Sequence, residues 1–377
     1  SWGNGALIHV SSVEPWSAPG VPREIWRMIG REDAPFLLRL GVLPQMWRWG
    51  LAFLRNCAPE RHRANALFNL ELALESARAM VAIREATCIA YDHARDAVLK
   101  TYATPEAHAA ALAAHRALEP HGLAVESLDT EAAVAREPAL APVAGKIAGA
   151  LFFPQDEVGD CAKFCAALAA ECAGRGVRFR FGTTAGRIGI QGGRVSGVVT
   201  DQGYLPADAV VVALATASPA MVRPFGMRLP IYPVKGVSVT APRAPWNEAP
   251  RMAILDDRRH FALVPVGERL RVAGSAEIAG YDTTPSPARL EAVLAKVDEL
   301  FPQFRRCVAA EGTVRWAGLR PVTPSGRPIV ARTKVPGLYL NTGHGHTGWT
   351  MAAGSGRRIA ALVAGRAAAR PVVGTGG

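Results

Sequence analysis

No apolar run in the 377 residues approaches the ~18 that cross a bilayer, and the longest candidate, residues 209–215, is the length of a strand. None of the six cysteines forms a C-x-x-C pair, so the usual zinc and dithiol spacing is missing. No block of five like charges, no zinc finger and no aromatic-rich RNA motif occurs, which removes nucleic acid from the partners. Nor is there a signal peptide to read, and the chain starts at Ser1 without a methionine.

What remains is an ordinary globular composition. Apolar residues make up 49% and charged residues 20%, enough for a sizeable core in two domains or one large one. Basic residues outnumber acidic ones, 43 to 32, but lie scattered in ones and twos. That pattern reads as an Arg-rich solvated surface, compatible with acidic substrates or an anionic membrane face. Cys161, Cys165 and Cys172 fall on one face of a helix and are expected as small buried apolar residues. No metal site is expected. Sparse cysteines in a long chain fit a reducing cytoplasm.

Local signals place the elements. Residues 1–22 are loop-like, and a helical region with Trp26, Trp47 and Trp49 follows. A long helix is predicted over residues 61–83, and Thr104-Pro105 opens another with Thr as cap and Pro in the first turn. Asp160 caps a helix that Gly174 and Gly176 end. Strands are predicted at 177–181, 188–190 and 195–200, then at 209–215 as a parallel strand buried on both faces. Residues 232–240 and 260–272 alternate as antiparallel strands, the second stretch turning at Gly267-Glu268. Ser286-Pro287 starts a helix with Leu290, Val293, Leu294 and Val297 on one face. A strand at 337–341 and a helix at 349–364 complete the α/β pattern.

Residues 343–348 read Gly-His-Gly-His-Thr-Gly and fit G-x-G-x-x-G between a strand and a helix. A nicotinamide site also needs a second strand with an acidic residue ~20 positions on. Only about thirty residues follow, running into a Gly-rich tail. The stretch is therefore expected to be a helix start that meets some other electron-rich group.

Four blocks carry a resemblance. They are SWGNG with PWSAPGVP (1–5, 15–22); PQDEVGDC (154–161); YPVKGVSVT with GSAEIAGYD (232–240, 274–282); and WAGLRPVTPSGRPIV with LYLNTGHGHTGWTMAAGSG (316–330, 338–356). In order and spacing they resemble the D-amino acid dehydrogenase group (small-subunit type) of the D-amino acid oxidase-like FAD-dependent oxidoreductases. The resemblance implies a Rossmann-like FAD-binding domain interleaved with an α+β substrate domain that holds an antiparallel sheet. On that basis residues 1–82, 145–230 and 312–370 are assigned to the FAD domain. Residues 83–144 and 231–311 go to the substrate domain, and 371–377 form a disordered tail. The family's opening βαβ unit is expected upstream of Ser1.

The same resemblance implies the roles. Arg320 holds the substrate carboxylate, as a planar guanidinium can with two parallel hydrogen bonds, and Gly318 lies beside it at the cofactor. Gly343, His344, Gly345, Thr347, Gly348 and Trp349 run along the flavin, where N–H groups at a helix start stabilise negative charge. His346 departs from the family pattern and is either a proton acceptor or a polar rim residue. Ser1, Gly3, Asn4 and Gly5 match a loop used against FAD. Thr184 and Ala185 match backbone that meets the adenine. Lys235, with Gly236, either stabilises reduced flavin or is a strand lysine. Ala215 stands where a glycine is usual. His260 and Tyr281 are pocket or packing residues, and Asp156 with Glu157 is a paired acid site or a helix-capping or domain-interface element.

The implied activity is oxidative deamination of a D-amino acid by hydride transfer from Cα to flavin N5. Electrons go to a quinone or respiratory acceptor, and the protein is cytoplasmic, or peripheral on the inner membrane. Two alternatives stay open: oxidation of secondary amines such as sarcosine, proline or hydroxyproline, and a chain that no longer binds FAD.

Overall fold

The computed structural model describes residues 2–28, 31, 34, 36–95 and 97–366. Ser1 and the expected disordered tail lie outside the described residues.

A nine-stranded, mostly antiparallel sheet dominates. Its order is Val314–Val322, Tyr232–Pro242, Arg269–Ile278, Phe261–Val266, Ala253–Asp256, Val98–Tyr102, Gly149–Phe152 and Glu126–Leu128, and Phe36–Leu38 pairs with the end of Arg269–Ile278. Its central strands are buried along most of their length, and the Phe261–Val266 hairpin turns at Gly267, whose φ of +56° suits glycine. The helices Pro287–Asp298 and Phe304–Ala309 cover one face. Leu290, Val293, Leu294, Val297, Phe301 and Phe304 pack there against Val237, Val239, Leu263 and Val272. Each cap read from sequence is made: Ser286 Oγ accepts from Arg289 N, Thr104 Oγ1 from Ala107 N, and Asp160 Oδ1 from Ala162 N and Lys163 N.

A smaller layer holds Val210–Val212, Leu338–Thr342 and Ile329–Arg332, the first pair parallel. The helices Gly348–Val363 and Pro59–Thr87 cover one side of it. The antiparallel strands Ala185–Gln191, Arg194–Thr200 and Gly203–Pro206 lie at the other.

Several expectations change. Residues 177–181 form no strand, and Val177, Phe179 and Phe181 are exposed. Their pattern suits a strand, but no described strand lies beside them to complete a ladder. The 209–215 run shrinks to Val210–Val212, with Val211 and Leu214 exposed. It is an edge strand paired on one side only, so burial on both faces fails. Cys165 is exposed rather than buried. Three strands also cross the expected domain partition, the first being Phe36–Leu38, which pairs with Arg269–Ile278. Val314–Val322 and Gly149–Phe152 both sit in the nine-stranded sheet, because their partners Tyr232–Pro242 and Val98–Tyr102 do.

Ala215 adopts φ +49°, left-handed backbone that costs an L-residue about 1–2 kcal/mol. Ala215→Gly is expected to raise stability by about 1 kcal/mol, because part of that strain is offset by the added freedom of the unfolded chain. The denaturation midpoint reads the change, and a lowered midpoint would contradict it.

Candidate active site

The site forms where the edge of the large sheet meets the start of the Gly348–Val363 helix. Arg320 lies near the end of Val314–Val322, two residues before Val322, which bridges to His344. Its neighbour across the ladder is Tyr232–Pro242, in register Val234 with Arg320 and Gly236 with Gly318. The register slips between Lys235 and Val237 on the other side of that strand. The guanidinium lies directly over Gly236. A Cβ there would stand 2.2–2.4 Å from its Nη1, Nη2 and Cζ.

Arg320 Nη1 donates to the Ser275 carbonyl at 3.2 Å, and its Cζ lies 5.7 Å from the Trp16 ring centroid. Among the described residues no carboxylate pairs with it. The residue is half-buried, but enough protein encloses the charge that burial lowers its pKa to about 10. It therefore stays cationic at neutral pH. Ser275 is itself at φ +71°, and its hydroxyl accepts from the buried Arg289. A strained residue thus holds two arginines in place.

Trp16 joins the arginine to the helix start. Its ring stacks on His346 at 4.8 Å and 13°. Burial, reinforced by the charges of His9 and Arg320, drives the His346 pKa down to about 3, and a bond with the Ser12 backbone opposes this only weakly. His346 is therefore a neutral ring. His344 is neutral too, lowered to about 4 by burial, with Nε2 3.0 Å from Ser355 Oγ.

Residues 343–349 form the turn that presents these groups. Gly343 (φ +76°) has no room for a side chain, since a Cβ would lie 2.8 Å from Thr323 Cγ2. Thr347 is buried and turns its hydroxyl inward to the His344 carbonyl at 3.3 Å. No side chain caps the helix that follows. Its first N–H groups, on Gly348, Trp349 and Thr350, are thus left for something else. Gly345, at φ +58°, faces open space, and the buried Trp349 indole N–H has no partner among the described residues. Polar hydrogens at a helix N-terminus beside open space fit the electron-rich edge of a flavin ring.

The N-terminal segment braces this turn. Ser238 Oγ donates to the Gly3 carbonyl at 2.7 Å, and Arg271 Nη1 to the Asn4 carbonyl at 3.0 Å. Gly5 lies 3.9 Å, from an ideal Cβ, to Ala273. The Trp316 indole is wedged between Gly3 and Gly318, 2.7 and 2.1 Å from where their Cβ atoms would be. His9 N donates to Thr350 Oγ1 at 3.2 Å.

Asp156 anchors the same segment. It is fully buried and accepts from both the Ser11 amide and the Ser11 hydroxyl. Glu157 points elsewhere, into a two-pronged pair with Arg84 at 2.8 and 3.0 Å. Burial, against those hydrogen bonds, pushes the Asp156 carboxyl up to about 7. A folded pKa above the unfolded value of ~3.9 means the neutral acid favours folding. That stabilisation is complete below about pH 4 and is lost as pH rises through about 7. Asp156→Asn is therefore expected to abolish a slope of up to about 1.4 kcal/mol per pH unit in that window. Thermal unfolding at pH 5 and pH 7.5 measures it, and parallel shifts of both proteins would contradict it.

Other sequence candidates lie apart. The Lys235 ammonium is buried in the sheet, 2.8 Å from Asp282 and 3.3 Å from Glu277. Those carboxylates occupy it, which fits the strand lysine of the two readings, although it is buried rather than solvated. Thr184 and Ala185 are exposed at the start of the outer three-stranded sheet, where Thr184 N donates to Asp201. His260 and Tyr281 are exposed. Trp16, His9 and Ser275 were missed. Trp16 sits in a Pro-Trp-Ser loop whose composition gives no sign of its contacts, and only the positive φ of Ser275 marks it.

Residues 1–362 match the family described as FAD dependent oxidoreductase (DAO). A protein named D-amino acid dehydrogenase from Rhizobium johnstonii is 41% identical over 365 residues, 97% of this chain and 87% of the relative. One of the same name from Paramagnetospirillum magneticum is 41% identical over 377 residues, 100% and 89% of the two chains. Among solved structures, glycine oxidase from Geobacillus kaustophilus gives a TM-score of 0.72 at 22% identity, covering 100% of this chain and 89% of that one. L-proline dehydrogenase from P. horikoshii gives 0.69 at 18%, covering 79% and 80%. These two share the fold. The chain belongs to the FAD dependent oxidoreductase family, and FAD is its cofactor.

Proposed function

We propose that the chain catalyses oxidative deamination of D-amino acids to 2-oxo acids and ammonia. The observation that carries this reading is Arg320, an enclosed cation with no described carboxylate partner, one tryptophan away from an uncapped helix start. The relatives' names support the substrate class.

FAD, when bound, supplies the redox chemistry by taking the hydride from Cα. Everything else falls to the chain. The Arg320 fork binds the carboxylate through two charge-assisted hydrogen bonds, which fixes the direction of the Cα–H bond. Gly236 leaves the space the fork occupies, and the Ser275 carbonyl holds one of its nitrogens. The N–H groups of Gly348 and Trp349 favour negative charge that develops beside them. Water then hydrolyses the released imino acid.

His346 acts as a wall in this reading. With a pKa of about 3 it does not titrate near neutrality, and its conjugate acid is too strong for an efficient base there. His346→Ala is expected to change KM by a few-fold and to leave the limbs of the kcat/KM profile in place between pH 6 and 9. A displaced limb would restore the imidazole as the base.

Electrons, we infer, leave to a membrane quinone or another respiratory-chain acceptor, with the protein peripheral to the membrane. Steady-state turnover tests both parts. D-alanine with an artificial acceptor is expected to outpace D-alanine with dioxygen, and to outpace sarcosine and L-proline with the same acceptor. Preference for the secondary amines would overturn the substrate class, and preference for dioxygen the acceptor.

A further inference from the structure

The helix Leu43–Asn56 is apolar on two faces. Met46, Trp49 and Phe53 point inward and pack with Tyr232, Val234 and Ile278. The second set points out. Leu43, Trp47, Leu51 and Leu54 are 41, 55, 49 and 49% exposed, and Leu40, in the turn before the helix, is 56% exposed. Spacings of three and four residues put all five on one stripe, about 20 Å long at 1.5 Å per residue. An ordinary surface helix carries polar residues there.

The flank of the stripe is basic. Arg48 and Arg55 are exposed on its border, with the Arg48 guanidinium 5.1 Å from the Trp47 ring centroid, and neither pairs with a carboxylate among the described residues. Residues 34–59 contain no aspartate or glutamate at all. An outward row of leucines and a tryptophan, bordered by arginines and free of acids, complements the boundary between anionic headgroups and acyl chains. Tryptophan favours that depth, and arginine stems can lie along it while their heads reach phosphate. The stripe offers on the order of 400–500 Å² of apolar surface, short of the ~800 Å² each partner buries in a stable protein interface. A bilayer demands no matching shape. No described helix is long and apolar enough to cross a membrane, so this one would lie on it.

We propose that the Leu43–Asn56 helix docks the protein on an anionic lipid surface, with Leu40, Leu43, Trp47, Leu51 and Leu54 inserted and Arg48 and Arg55 at the headgroups. This deepens the reading of a membrane acceptor and rests on it only for its purpose, since vesicle binding is measured without turnover.

The test is co-sedimentation of the full, FAD-loaded chain with vesicles of phosphatidylcholine and phosphatidylglycerol in equal parts, or of phosphatidylcholine alone. At least tenfold stronger binding to the anionic vesicles is expected, weakened by 0.5 M salt. Trp47→Glu with Leu51→Glu is expected to reduce binding at least tenfold with turnover on a soluble acceptor unchanged. The milder Trp47→Gln covers the case of a destabilised double variant. Arg48→Glu with Arg55→Glu is expected to remove the anionic preference. Binding by the Trp47 variants equal to wild type would overturn the proposal, as would no binding by wild type. So would a concentration-dependent dimer, lost in the Trp47 variants, with no lipid bound, because the face would then serve a second copy. A chain that binds vesicles but cannot reduce a quinone analogue sinks the acceptor reading alone.

Discussion

Arg320→Met lowers kcat/KM for a D-amino acid about 10³-fold while raising thermal stability. Both halves follow from one observation. The guanidinium is enclosed without a carboxylate partner among the described residues, so the folded chain bears its desolvation with little return until substrate arrives. Losing a bidentate charge pair costs binding on the order of 4 kcal/mol, or about 10³ in kcat/KM. Removing an unpaired enclosed charge stabilises the protein without ligand. Arg320→Lys separates charge from geometry. It keeps the cation, loses the planar fork, and is expected to fall about 10²-fold, with kcat reduced as well as KM raised because Cα–H is no longer aimed. Steady-state kinetics beside thermal unfolding reads all three proteins. A Met variant that is inactive and less stable would mean that Arg320 holds the sheet edge together.

Gly236→Ala acts on the same cation without touching its chemistry. The new methyl would meet the guanidinium at 2.2–2.4 Å. That atom group ends a flexible side chain, so it swings aside and the fold loses little. Catalysis tolerates the swing poorly, since a displacement near 1 Å can cost about 10²-fold. The expected result is kcat/KM down about 10²-fold with the unfolding midpoint almost unmoved. Gly318 makes the contrast. Its Cβ would strike the Trp316 indole at 2.1 Å, and that ring is already wedged against Gly3, so Gly318→Ala is expected to lower stability as well. Equal stability losses at Gly236 and Gly318 would show that the arginine is not free to move.

Much of this was legible in the residues. Caps at Thr104, Asp160 and Ser286 are local, and short-range hydrogen bonds fulfil them wherever the segment lies. Alternation specified the antiparallel strands for the same reason. Arg320 and the turn at residues 343–349 were named through a family pattern, because pairing two stretches of chain requires knowledge of the fold. Trp16 lies some three hundred residues from both side chains it touches, and no periodicity encodes that contact. Lys235 looked available because its carboxylates, Glu277 and Asp282, are on another strand and the loop beyond it. Residues 177–181 have strand-like side chains, but a strand exists only with a partner, and none is described beside them.

The most direct test of the central claim, that Arg320 clamps a D-amino acid beside a flavin lying along the Gly345–Trp349 turn, is anaerobic titration of the FAD-loaded chain followed by the flavin's visible absorption. D-alanine should bleach the band in wild type, L-alanine should not, and Arg320→Met should need about 10³-fold more D-alanine or bleach correspondingly slowly. Bleaching by D-alanine that is as efficient in Arg320→Met as in wild type would contradict the account.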